Sequence, residues 1–288
     1  MTKLFCTALG SMIFVGLFPE LFASPSNHAP TRIEDSTYVY HEDRLADVQV
    51  PPLIARGQRV AAINGCTDCH GEDLSGTNFL EAMPFADLPA PNLTGQAYSE
   101  EQLRQAIRDG IGADGRALII MPSTAFARMN DSDLDALVAF IQSRPRLDSD
   151  LMDRRIGQVG RVATAMRASE LVADRRERIG AEGTSDGQYL TRLCMYCHGT
   201  DFGGAPVPGD RNRWAPNLTP HVTGLGGWTY EDFVIALREG WSRSRGSLDD
   251  TMPWKGFQSF TDDEIRTIWD YLRALTPVER IVPAEELD

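Results

Sequence analysis

Apolar residues recur every three or four positions in several places along this chain, and the clearest of these stripes fall into two matching pairs. Leu103, Ala106, Ile107 and Gly110 stand at i, i+3, i+4 and i+7, and Phe233, Ala236, Leu237 and Gly240 repeat that spacing. Leu134, Leu137, Val138 and Ile141 form a further stripe, matched by Ile265, Ile268, Trp269 and Leu272. Each stripe is one face of a helix turned toward a core. Polar residues mark the starts: Ser99 with Gln102, Thr229 with Asp232, Asn130 with Asp133 and Thr261 with Glu264 have the spacing of an N-cap and its partner three residues on. Alternating, strand-like patterns are scarce, so the fold class is expected to be mainly α.

The pairing of stripes is part of a longer internal repeat. Ala90-Pro91-Asn92-Leu93-Thr94 returns unchanged as Ala215-Pro216-Asn217-Leu218-Thr219, and Gly57-Gln58 as Gly187-Gln188. The repeat predicts two tandem domains, 51–145 and 183–280. Between them, residues 146–182 form an arginine-rich connector, expected to be partly helical on a stripe of Ile156, Val159, Val162, Ala163 and Met166. Its arginines read as a solvated or paired face. Residues 24–50 are polar and acidic without a sustained period and read as an N-terminal arm; 281–288 read as a C-terminal tail.

Each unit carries one strong chemical motif: Cys66-Thr67-Asp68-Cys69-His70 and Cys194-Met195-Tyr196-Cys197-His198. Two thiols three positions apart, with histidine directly after, is the spacing of covalent c-type haem attachment. Each cysteine sulfur adds to one vinyl group of the porphyrin, and the adjacent imidazole then reaches the iron from one face. Two covalent haem c groups are expected, with Cys66, Cys69, Cys194 and Cys197 as attachment points and His70 and His198 as axial ligands. A zinc site would need four closed ligands, and each motif supplies three. A thioredoxin-like site would need a βαβ setting.

A histidine-bound haem iron takes a second axial group or stays open to small molecules. Met121-Pro122 and Met252-Pro253 stand 51 and 54 residues past their histidines, and from there to the last stripe the two units align without a gap. Met121 and Met252 are therefore the expected sixth ligands. Met83 has no counterpart in the second unit, and the counterpart of Met129 is Phe260, which cannot ligate. The soft thioether favours ferrous iron, and a closed His/Met set passes electrons without binding substrate. The imidazole needs an acceptor for its other ring nitrogen. A backbone carbonyl near Pro91 and Pro216, in the haem pocket loop, is the expected one. The Asn-Leu-Thr triplets also match a glycosylation pattern, which their repetition inside a haem unit makes coincidental. His28 and His41 read as solvated surface residues, and His221, at whose matching place in the first unit Gln96 stands, as a loop residue. All five tryptophans, Trp214, Trp228, Trp241, Trp254 and Trp269, lie in the second unit, where they suit a porphyrin edge or an ordinary core.

Charge and the N-terminus add compartment and exclusions. With 28 Lys plus Arg against 41 Asp plus Glu, the net charge of −13 disfavours nucleic acid as a partner and suits a basic protein surface. Lys3 followed by an apolar run from Leu4 to Phe18 reads as a signal peptide over 1–23, with a possible cut after Ala23. The run is short for a membrane span, so no transmembrane anchor is expected in the mature chain, an uncleaved anchor being the alternative. Cleavage would remove Cys6 and leave the four motif cysteines, with none for a structural disulfide.

Each unit resembles a class I cytochrome c domain, on the Cys-x-x-Cys-His motif, the Pro-Asn-Leu-Thr loop, the Met-Pro pair and the capped terminal helix in that order. The tandem is similar to cytochrome c subunits that accept electrons from bacterial periplasmic dehydrogenases. The second unit carries the closest likeness, in Thr219-Pro220, Gly224-Leu225-Gly226 and Trp228-Thr229. The resemblance implies about three helices around each haem and a periplasmic electron carrier, not an enzyme. Its partners would be a donor dehydrogenase and an acceptor cytochrome or oxidase. The alternative is a di-haem enzyme, a peroxidase or sulfur-compound oxidase, with one open iron.

Overall fold

In both halves the first helix and the last cross at a glycine. The computed structural model describes residues 50–118, 120–167, 185–207 and 210–280. The expected signal peptide, the arm up to residue 49, the rest of the connector and the C-terminal tail lie outside the described residues. Helix α1 (Pro52–Ile63) opens with proline in its first turn, where the missing N–H has no helical partner to lose. It buries Gly57, Val60, Ala61 and Ile63. A Cβ on Gly57 would stand 2.0 Å from the Ala136 carbonyl oxygen of the last helix of that half. The repeated glycine thus allows a backbone-to-backbone approach that any side chain would block.

A single-turn helix, α2 (Cys66–His70), follows. Next come α3 (Glu100–Arg104), which runs on through one π-helical turn (Gln105–Asp109), then α4 (Ser123–Phe126) and α5 (Asp131–Ser143). The connector supplies α6 (Gln158–Arg167). The second half repeats the order with α7 (Asp186–Leu190), α8 (Cys194–His198), α9 (Tyr230–Glu239), α10 (Trp254–Phe257) and α11 (Asp262–Arg273). Among the described residues each half therefore has more helical segments than the three or so the resemblance implies.

The caps form as spaced. Ser99, Thr229 and Thr261 close capping boxes, and Asn130 Oδ1 accepts the Asp133 N–H at 2.7 Å. Gly110 and Gly240, which continue the apolar stripes in sequence, instead end their helices in the left-handed region at φ 67° and 64°. The stripes of α5 and α11 are buried in full. At about 1.5–3 kcal/mol for each large apolar side chain, these two faces are major sources of stability.

Among the described residues seven short strands make three small antiparallel sheets, which a mainly helical reading of the pattern omits. Strands β1 (Thr77–Ala82), β2 (Ala86–Ala90) and β3 (Arg155–Ile156) form one sheet; β4 (Ala205–Val207) pairs with β5 (Asp210–Ala215), and β6 (Trp241–Ser242) with β7 (Gly246–Ser247). In the first half, β2 is buried on both faces and β1 buries no residue on either, so neither shows a buried face alternating with an exposed one. The described part of the connector lies on this first sheet. Arg155 pairs with Asp87 at 2.7 Å, and Gly157 and Gly160 allow close approach to the Pro84 and Phe85 carbonyls. Val159 and Val162, counted in the expected stripe, are exposed, because it is the glycine edge of α6 that faces the sheet.

From Val50 on, the described residues form one compact unit containing two apolar cores. The first includes Val60, Leu74, Leu103, Leu134 and Phe140; the second includes Phe202, Phe233, Ile265, Ile268 and Trp269. The halves also interlock. Ile63 of the first half belongs to the second core, and Leu193 packs against both.

Candidate functional site

Each Cys-to-His motif is one helical turn bounded by a glycine in the left-handed region, Gly71 at φ 83° and Gly199 at φ 82°. The chain doubles back there, and the histidine carbonyls accept from Gly76 N–H at 2.8 Å and Gly204 N–H at 2.9 Å. Eight positions past the first cysteine, Leu74 and Phe202 take positive φ, 65° and 57°, although neither is glycine. Both are buried, and their carbonyls accept the Leu93 and Leu218 N–H groups at 2.9 and 2.8 Å. This matched departure from ordinary backbone joins the motif to the Pro-Asn-Leu-Thr loop.

That loop aims the imidazoles. His70 Nδ1–H donates to the Pro91 carbonyl at 2.8 Å, and His198 Nδ1–H to the Pro216 carbonyl at 2.7 Å. A ring that donates at Nδ1 keeps a lone pair at Nε2 for a metal. Burial lowers the pKa of His70, and pushes His198 down to about 4, so the neutral, ligating form is favoured at both. The four cysteines are free thiols. Burial, the main cause, raises Cys66 and Cys194 to about 12, with Cys69 and Cys197 also raised. Among the described residues no three His, Cys, Asp or Glu side chains cluster as a metal cage requires.

The loop is held by side chains whose role the sequence reading missed. Asn217 Oδ1 accepts from the Thr219 N–H and from its hydroxyl, both at 2.8 Å. Asn217 Nδ2 donates to Thr223 Oγ1 at 3.0 Å and to the Val278 carbonyl at 2.7 Å, and Thr219 Oγ1 accepts the Val278 N–H at 3.0 Å. In the first half Asn92 and Thr94 do the same with Leu147 and Ser149. The triplet thus pins the histidine-holding loop to the segment after the terminal helix. An asparagine only 2 % exposed is no glycan acceptor.

Met121 packs at the edge of the first core, as does Cys66; Met252 packs at the edge of the second, as does Cys194. The following prolines have nearly equal backbone angles, φ −79° and ψ 54° at Pro122, φ −78° and ψ 50° at Pro253. Of the rivals, Met83 is 52 % exposed and Met129 is buried within the first core. His221 lies in a loop, where its Nδ1 accepts the Thr223 N–H at 3.2 Å; His28 and His41 lie outside the described residues. Trp269 is a core residue and Trp241 is half exposed.

Among the described residues, the buried side-chain polar atoms left without a partner are all donors: Nε of Arg108, Arg128, Arg144 and Arg192, and Nε1 of Trp254. Free thiols and neutral, oriented imidazoles are what a haem would meet at each motif.

The two halves meet reciprocally. Arg59 and Tyr189 follow the repeated Gly-Gln at the same place in their first helices. Each bonds to the N3 carboxylate of the other half's last helix. Arg59 Nη1 donates to Glu264 Oε2 at 2.7 Å, and the Tyr189 hydroxyl to Asp133 Oδ2. Likewise α10 packs against α1, and α4 against α8. A Cβ on Gly256 would stand 2.2 Å from the Ala62 carbonyl oxygen.

Residues 52–141 match the family described as cytochrome C oxidase, cbb3-type, subunit III. The chain thus contains a cytochrome c domain, with the helices and modest sheet described above, of a family that carries covalently bound haem c. Its relatives include the cytochrome c subunit of alcohol dehydrogenase (quinone) from Gluconacetobacter polyoxogenes, 27 % identical over 277 residues and covering 78 % of this chain and 56 % of that one. The fructose dehydrogenase cytochrome subunit of Gluconobacter japonicus is 26 % identical over 261 residues, covering 78 % and 53 %. The chain spans about half the length of these relatives. A solved structure, reduced recombinant cytochrome c4 from Pseudomonas stutzeri, shares 19 % identity over 77 % of this chain and 98 % of that one, with a TM-score of 0.22.

Proposed function

We propose that this chain is an exported, periplasmic di-haem electron-transfer protein. It relays electrons from a donor dehydrogenase to an acceptor cytochrome or oxidase through two His/Met-ligated c haems. The observation that supports this most directly is the duplication of one ligand geometry. In each half, an imidazole is fixed through Nδ1 to a proline carbonyl at 2.8 or 2.7 Å, and a cysteine of the motif and a methionine flank one core. Cys66 and Cys69 would hold one haem with His70 and Met121 as axial ligands; Cys194 and Cys197 would hold the other with His198 and Met252.

When bound, the haem supplies reversible one-electron chemistry at an iron closed on both sides. The chain's own part is to fix the imidazoles, keep them neutral, seal the pocket with two apolar cores and join the sites across a packed interface. Residues 51–145 and 183–280 are the proposed haem domains, 146–182 their connector, and 1–23 an export signal. No described helix is long and apolar enough to cross a membrane. The relatives' role as dehydrogenase subunits makes a dehydrogenase the proposed donor, with its substrate left open.

The test is a haem count and a ligand assay on protein exported by a host that matures c-type cytochromes. Two haems per chain and a sulfur-to-iron charge-transfer band for each are expected. Met121→Ala and Met252→Ala should each lower the potential of one haem and open it to carbon monoxide. Stoichiometric binding of carbon monoxide by the parent ferrous protein at neutral pH would overturn the closed-carrier reading in favour of an enzyme.

A further inference from the structure

Two residues before its first cysteine each half carries a polar residue, Asn64 in the first and Arg192 in the second. The reciprocal pairs Arg59–Glu264 and Tyr189–Asp133 relate the halves by an approximate two-fold axis, and these two matched positions meet each other. Arg192 Nη2 donates to Asn64 Oδ1 at 3.1 Å. Asn64 in turn donates from Nδ2 to the Val60 carbonyl at 2.7 Å.

Arg192 is only 7 % exposed, yet among the described residues it forms no ion pair. Its partners are neutral. Nη1 donates to the Tyr189 carbonyl at 3.0 Å, the guanidinium lies 4.2 Å from the centre of the Tyr189 ring, and Nε has no acceptor. The nearby carboxylate, Asp133, is engaged by Arg56 at 2.7 Å and by the Tyr189 hydroxyl. A guanidinium stays protonated in proteins, so this is a fixed buried cation on which Asp133 acts without pairing with it directly. Leu193, next in sequence, touches both cores, and the buried charge acts on the Cys194 thiol.

We propose that Arg192 sets the reduction potentials of both haem sites: its buried charge on the axis favours the reduced iron at each, and more strongly at the Cys194–His198 site, two residues before whose motif it stands. Ferrous iron is one charge less positive than ferric, so a nearby cation costs the reduced state less. Burial keeps salt from screening the effect. The inference rests on the two-haem reading, and haem counting on the parent protein tests that reading before any variant is made.

Arg192→Met, Arg192→Lys and Asn64→Asp are compared with the parent by spectroelectrochemical titration, the Met121 and Met252 variants assigning each wave to its haem. Arg192→Met is expected to shift the oxidised-to-reduced ratio about tenfold toward oxidised at the second site, ~59 mV for one electron. By Coulomb's law one charge in an effective dielectric of about 20 would supply an effect of that size from as far as roughly 10 Å. The first site should move the same way by less. Arg192→Lys should stay near the parent. Asn64→Asp neutralises the guanidinium in place, should move both midpoints as Arg192→Met does, and carries the test if the methionine variant fails to assemble. Variants that keep two haems and both methionine signatures but hold the parent's midpoints would overturn the proposal, since a purely structural arginine changes stability alone. A shift confined to one site would overturn the shared role. A parent with a single haem would overturn both this inference and the two-haem reading.

Discussion

Replacing Asn217 by alanine removes the fastening of the loop that holds His198. Four hydrogen bonds disappear, two accepted by Oδ1 and two donated by Nδ2. At about 1 kcal/mol net each they sum to roughly 4 kcal/mol. The surroundings set where the true value falls. Asn217 is 2 % exposed and Thr219 fully buried, so water cannot replace the lost acceptor and the Thr219 N–H is stranded. A loss of about 3–5 kcal/mol follows, roughly 6–20 °C in Tm for a unit of this size. Asn92 makes the equivalent bonds but is only partly buried, and its partner Ser149 Oγ is exposed. Water can satisfy part of that network, so Asn92→Ala should cost about half as much. Thermal and urea melts of the holo proteins, read by far-ultraviolet circular dichroism, give both values. Equal costs, or a loss below about 1 kcal/mol for Asn217→Ala, would refute the idea that the buried triplet holds the loop.

Three further outcomes are expected. Gly256→Ala should lose about 1–3 kcal/mol because its Cβ would stand 2.2 Å from the Ala62 carbonyl oxygen, whereas Gly227→Ala, with nothing within 4 Å, should be near neutral in the same urea titration. Tyr189 is pushed up to about 12, mainly by burial and against the pull of Arg192, with its hydrogen bond to Asp133 adding to the rise. Its neutral form is the one the fold favours, so its contribution is intact below pH ~10 and lost as pH rises toward 12; Tyr189→Phe should flatten that alkaline limb of the stability profile. Met129→Leu, a volume-conserving change inside the first core, should cost less than about 1.5 kcal/mol and leave both potentials unmoved, while Met121→Leu should lower one of them.

How far the sequence could be read depended on what the repeat preserves. Caps, stripes and the Cys-to-His motifs recur with like chemistry at like spacing, so Thr261 with Glu264 or Leu134 with Ile265 could be paired before any coordinates. The hairpins could not, because β1 and β2 bury both faces or neither and so lack a two-residue period. Gly110 and Gly240 fit the stripe but serve as left-handed helix ends, since periodicity records position and not φ. The Asn-Leu-Thr triplets were visible as an unchanged repeat, and that identity at both the amide and the hydroxyl was the available signal of a shared bonding role. The interface was hidden for the opposite reason. Arg59 and Tyr189 differ in kind, as do Asn64 and Arg192, and only their partners reveal that they occupy equivalent places.

The meeting of Asn64 with Arg192 has a consequence for how such an assembly can be built. In a homodimer of identical subunits, whatever residue occupies the symmetry axis must face its own copy. Arginine there would oppose arginine, two buried like charges, and asparagine would oppose asparagine with no charge at all. Joining the halves in one polypeptide releases the central position from self-complementarity. A single positive charge can then sit at the middle of an otherwise balanced interface.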